Sequence, residues 1–63
     1  LKGIVKNYND GKGWGFIEGE DGYDYFFHIT QLRSGQKVTN HSRVKFDAVE
    51  GQRGPEAENI TLY

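Results

Sequence analysis

The chain has no cysteine, no methionine, one proline and one tryptophan in 63 residues. Without cysteine there is no disulfide, no thiolate metal site and no thiol nucleophile. Its two histidines are a thin basis for a metal centre, so neither metal nor cofactor is expected. Long apolar runs are also missing, and nothing approaches the ~18 residues of a membrane span. The opening Leu1-Lys2-Gly3-Ile4 lacks the apolar core of a signal peptide, so a cytoplasmic location without membrane contact is expected. In that compartment Asn40-His41-Ser42 and Asn59-Ile60-Thr61 are chance matches to the glycosylation pattern. No phosphate loop or Ser/His/Asp spacing is present, and the acids Glu18, Glu20, Asp21 and Asp24 do not follow the order of a calcium loop. The chain is not expected to be an enzyme.

Charge of one sign is lacking too. The net charge of −1 argues against a strong nonspecific hold on phosphates. Its distribution is uneven: acids gather in 17–27 and bases in 28–46, where Arg33, Lys37, Arg43 and Lys45 lie. Lys6 and Lys12 stand apart, because they flank the most unusual stretch of the chain.

That stretch is Lys12-Gly13-Trp14-Gly15-Phe16-Ile17. In a strand, residues two apart share a face, so Trp14 and Phe16 point one way and Gly15 and Ile17 the other. Ten residues on, Tyr25-Phe26-Phe27-His28-Ile29 repeats the pattern, with Phe26 and His28 on one face and Tyr25, Phe27 and Ile29 on the other. If the two strands pair antiparallel with Ile17 and Phe27 inward, then Trp14, Phe16, Phe26 and His28 form a solvent-facing cluster. Exposing it is costly, since burying one Phe-sized side chain is worth roughly 1.5 to 3 kcal/mol. Nucleobases are a fitting partner, because each has a π-face whose stacking on an aromatic contributes about 1 to 3 kcal/mol. Gly13 and Gly15 would let a nucleic-acid strand approach the backbone closely.

The remaining strands follow from alternation and turn residues. Gly3 to Tyr8 reads as the first, ending at Asn9-Asp10-Gly11; either Ile4 or Val5 is its principal core residue, and Lys6 and Tyr8 share the face of Ile4. Trp14 to Glu18 is the second and Tyr23 or Asp24 to Ile29 the third. Thr30-Gln31-Leu32 reads as a single helical turn with Leu32 against the core, followed by a loop from Arg33 to Ser42. Arg43 to Val49 alternates cleanly as the fourth strand, placing Val44, Phe46 and Ala48 inward. Glu50 to Pro55 is a loop and Ala57 to Leu62 the last strand. One domain spanning 1–63 is expected, all-β, a small five-stranded antiparallel barrel. A sheet flanked by two helices, as in RNA-recognition motifs, is excluded because no segment reads as a helix.

These residues together resemble the cold-shock domain. Lys12 to Ile17 is similar to its first ribonucleoprotein motif and Tyr25 to Ile29 to its second, and the likeness continues through Gly3-Ile4-Val5-Lys6, Val44-Lys45-Phe46 and Glu50 to Thr61. The resemblance implies a barrel of the oligonucleotide/oligosaccharide-binding (OB) type that binds single-stranded RNA or DNA, acting as an RNA chaperone or a regulator of transcription or translation. It implies base stacking at Trp14, Phe16, Phe26 and His28, strand contacts from Lys6 and Lys12, a base hydrogen bond at Asp24, and a groove lined by Arg53 and Pro55. Asn7 and Ile29 replace aromatics of that family, while Tyr8 keeps a neighbouring one and is expected to assist. Tyr25 and Phe27 stand where smaller residues are usual, which implies a repacked barrel or partial exposure. Weak, low-specificity binding by a monomer follows, with strand exchange into a dimer through the 33–42 loop as the other arrangement. The rival reading is an interaction module that has lost nucleic-acid binding and contacts a protein.

Overall fold

The computed structural model describes residues 1–33 and 35–63. Five strands, β1 (Lys2–Asn9), β2 (Trp14–Gly19), β3 (Asp24–His28), β4 (Arg43–Gly51) and β5 (Gly54–Leu62), close into a barrel in the order β1-β2-β3-β5-β4. The β1–β2, β2–β3, β1–β4 and β4–β5 seams are antiparallel. The closing β3–β5 seam is parallel, through Phe26 and Glu56, and the Leu32–Ile60 bridge continues along the same side. The only helical element among the described residues is a 3₁₀ turn, Ile29–Gln31. It follows β3 directly, with His28 as its cap.

Alternation fills the interior. Val5, Ile17, Phe27, Val44 and Ile60 are fully buried, joined by Tyr25, Val38, Phe46 and Ala57. In β1 the core residue is Val5, fully covered, whereas Ile4 is 45% exposed. The barrel is repacked around large aromatics. Tyr25, 7% exposed, lies 5.0 Å from Phe46 between ring centroids, and its hydroxyl donates to the Asp21 carboxylate. That bond satisfies the one polar atom such a core residue brings inside.

Two bulges change which residues face inward. In β1, Lys6 pairs with Phe16 but Asn9 pairs with Trp14, so β1 carries one extra residue. Asn7 takes it up with φ of 51°, a left-handed conformation that asparagine tolerates better than most residues. In β5 the register slips between Lys45–Thr61 and Asp47–Glu58, and Asn59 has φ of 53°. Ala57 and Ile60, three apart, are therefore both buried.

Several sequence expectations are corrected. Ala48 is exposed, because beyond its pairing with β1 at Arg43–Lys45 strand β4 continues with β5 as a hairpin, and the Ala48–Ala57 pair lies toward the turn end of that hairpin. Ile29 is 40% exposed in the 3₁₀ turn and does not share the inward face of Tyr25 and Phe27. The expected 50–55 loop contracts to a turn at Gln52-Arg53 between paired Gly51 and Gly54, which brings Pro55 into β5 opposite Glu50. Proline is tolerated there because that ribbon stands at a sheet edge. The upper half of β1, beyond its β4 pairing, is covered by the long loop. Val5 exchanges hydrogen bonds with Ser42 and His41, and the Tyr8 amide donates to Asn40 Oδ1 at 2.8 Å.

Candidate nucleic-acid interface

The β2–β3 register sets the site. Trp14 pairs with His28 and Phe16 with Phe26, so the four side chains form two adjacent rows on the outer face. Ring centroids lie 6.1 Å apart for Trp14 and Phe16, 6.2 Å for Trp14 and Phe26, and 5.8 Å for Phe16 and Phe26. All three rings are half-buried. Edge-to-face packing at these separations is favourable and leaves ring faces open to solvent. His28 is exposed beside Trp14, and its Nδ1 accepts from the Thr30 amide at 3.3 Å. An accepting Nδ1 leaves Nε2 to carry the proton of the neutral ring.

Charged groups border the cluster. The Arg53 guanidinium lies over the Phe26 ring, 4.8 Å from its centroid, carried there by the tight β4–β5 turn. Lys6, opposite Phe16, forms an ion pair of 2.9 Å with Asp24 across the face. The Asp24 hydrogen bond raises the Lys6 ammonium above its ordinary range; burial opposes this, and the charges of Asp24 and Glu18 add to it. Both side chains are well exposed, so the pair contributes little to stability. Lys12 is exposed in the 10–13 turn, its amide bonded to Asn9 Oδ1, immediately before the buried Gly13 that leads into Trp14.

Two expected members are elsewhere. The Asn7 bulge turns Tyr8 away from Lys6: its ring stacks on Phe27 at 5.6 Å, against the core, and burial, aided by Asp10, pushes its phenol up. Gly15 serves this packing, because a Cβ there would come within 2.8 Å of the Tyr8 Cα. Gly13 and Gly15 are both buried; Gly15 makes room for Tyr8, and Gly13 supplies a φ of 80° at the entry to β2. Pro55 lines a separate recess with Tyr23, Tyr25 and Val49, and does not meet the aromatic face. Sequence reasoning missed the bulge that reorients Tyr8. Asn7 was its only signal, and asparagine is equally at home in turns. No group of three His, Cys, Asp or Glu among the described residues could hold a metal, and no helix there is long and apolar enough to cross a membrane.

A profile of the "Cold-shock" DNA-binding domain matches residues 1–63. The chain belongs to the cold-shock domain family. Cold shock-like protein CspLB of Listeria monocytogenes is 48% identical over 61 residues, covering 94% of this chain and 92% of that protein. The major cold shock protein of Streptococcus pyogenes serotype M6 is 48% identical over 62 residues, covering 95% and 92%. Cold shock-like protein CspC of Bacillus cereus is 42% identical over 62 residues, covering 95% of each. Among solved structures, Drosophila Unr CSD456 superposes with a TM-score of 0.75 at 20% identity, over 98% of this chain and 26% of that one. That likeness supports the fold alone. Cold-shock domains are nucleic-acid-binding and non-enzymatic, and this one carries an outward aromatic cluster.

Proposed function

We propose that this cold-shock domain binds single-stranded RNA or DNA in the cytoplasm, as a monomer and with weak sequence preference, serving as an RNA chaperone or a regulator of gene expression. The observation that carries the reading is the display of Trp14, Phe16 and Phe26 side by side on one outer face, with Arg53 over Phe26. Bases stack on such rings whatever their identity, and a duplex hides the faces that would stack. His28 extends the stacking row, Lys6 and Lys12 meet phosphates, and Asp24 accepts from a base amino group. Arg53 offers its guanidinium plane to a base in continuation of Phe26. Tyr8 contributes from beneath, by holding Phe27 and β2 in place, and Pro55 by shaping the turn that carries Arg53.

Affinity is modest on this reading. Asn7 and Ile29 present no aromatic ring, and Asp24 already neutralises part of the Lys6 charge. The test follows the single tryptophan. Titration with a pyrimidine-rich single strand should quench Trp14 fluorescence to saturation, and binding should weaken with salt by about 0.7 in the log–log slope per phosphate held. Absence of quenching at high micromolar oligonucleotide would overturn the reading and favour a protein partner for the aromatic face.

A further inference from the structure

The outer face does not stop at the aromatic cluster. Along β1, side chains two apart share a face, so the row that holds Lys6 continues through Ile4 to Lys2, about 6.6 Å per step. At that end, Lys2, Ile4, Arg43 and Tyr63 meet Glu18 and Glu20 around an open cavity of about 410 Å³. Apart from Glu18, whose charge reaches Lys6, none of these residues has a part in the site described above. Tyr63 is 57% exposed, and the Lys2 ammonium sits 5.1 Å from its ring centroid. The backbone amide of Tyr63 donates to the Arg43 carbonyl, which fixes the chain end beside β4.

The charges there are arranged in an unusual way. Lys2 stands directly opposite Lys45, and Arg43 opposite Ile4, in the β1–β4 seam. Like charges facing each other across strands are destabilising, and a polyanion relieves them. The acids lie on the other wall, Glu18 on β2 and Glu20 just past its end, where Glu20 also accepts from the Lys2 amide at 2.9 Å. A phosphate backbone is thus steered to the β4 side, while the ring of Tyr63 and the side chain of Ile4 are left for a base.

We infer that Tyr63, Ile4, Lys2, Arg43 and Lys45 form a second nucleotide subsite, which takes a base of the same single strand against Tyr63 and its phosphates along the β1–β4 seam. This rests on the reading of the aromatic cluster as a nucleic-acid site, and it extends the bound strand past Lys6 toward the chain ends. The subsite is legible only in three dimensions, because it joins residues from both ends of the sequence and the start of β4.

Oligonucleotide length separates the two sites. Pyrimidine strands of about four and about eight nucleotides lie within the range of one such fold. Both should quench Trp14, and the longer should bind about tenfold more tightly, the gain of one added stacking contact. Tyr63→Ala, Tyr63→Leu and Arg43→Gln should each remove most of that gain while leaving the shorter strand's affinity unchanged. Unfolding midpoints measured alongside identify any variant that is simply destabilised, and Arg43→Gln, a substitution at an exposed position, keeps the test open if the Tyr63 variants are. Retention of the full length-dependent gain in folded variants would overturn the subsite and leave the aromatic cluster standing. Loss of quenching by both strands in the unsubstituted protein would overturn both.

Discussion

Strands β2 and β3 carry an outer aromatic layer and β3 an inner one as well, and the two layers differ in nearly every respect. On the inside, Tyr25 and Phe27 are sealed among Tyr8, Phe46 and aliphatic neighbours, and the one phenol that needs a partner has Asp21. On the outside, Trp14, Phe16 and Phe26 are only half-buried, and their polar neighbours are exposed charged groups. Rings of the same chemistry thus do different work one residue apart. The inner layer holds the barrel closed; the outer layer holds surface available for a ligand. What separates them is strand parity, together with one bulge that sends Tyr8 inward.

The comparison breaks most visibly if the inner layer is cut. Phe27→Ala should cost about 3 to 5 kcal/mol, close to the whole stability of a domain this small, and urea unfolding would register it as loss of the cooperative transition. Trp14→Ala should weaken single-strand binding by about ten- to a hundredfold and lower stability far less than Phe27→Ala. Calorimetric titration beside thermal unfolding checks both halves, and an equally large loss of stability would place Trp14 in the core layer. The device that divides the layers can be probed next. Asn7→Val should cost about 1 to 2 kcal/mol, because a β-branched residue resists positive φ, whereas Asn7→Gly should be near neutral.

The smallest effect concerns pH. Asp21, by its hydrogen bond first and by burial second, pushes the Tyr25 phenol up to about 12. A raised pKa means that the bond's stabilisation is complete below the ordinary tyrosine value of about 10, and is lost as pH rises through about 12. The same bond lowers Asp21, so its contribution is present above the ordinary carboxylate range and fades as pH falls through the depressed value. Tyr25→Phe should flatten that alkaline limb in a plot of unfolding midpoint against pH, and a limb unchanged in the variant would remove Tyr25 as its source.

Much of this could be read from the chain before folding. Period-two alternation located every strand, and the two aromatic motifs fixed the outward face, because side-chain direction in a regular strand is a matter of counting. Counting fails where a residue is inserted. Tyr8 was expected beside Lys6 and lies on Phe27 because Asn7 absorbs one position. Ala48, Ile29 and Pro55 were misplaced for related reasons: a hairpin outruns the barrel, a 3₁₀ turn ends the strand early, and a glycine-flanked turn is tighter than its composition suggests. The Tyr63 cavity lay beyond any local pattern, since its walls are brought together only by barrel closure.

The parallel β3–β5 seam has a mechanical meaning. Four sides of the barrel are stitched by antiparallel ladders, while this one is held within the named strands by the Phe26–Glu56 bridge. A ring under load parts at its narrowest join. Phe26 and the Arg53 turn sit on opposite lips of that join, so the guanidinium resting on the ring works as a clasp. A base stacked beside the two would lie across this join from the outside, so that the ligand would brace the side of the barrel that the backbone holds least.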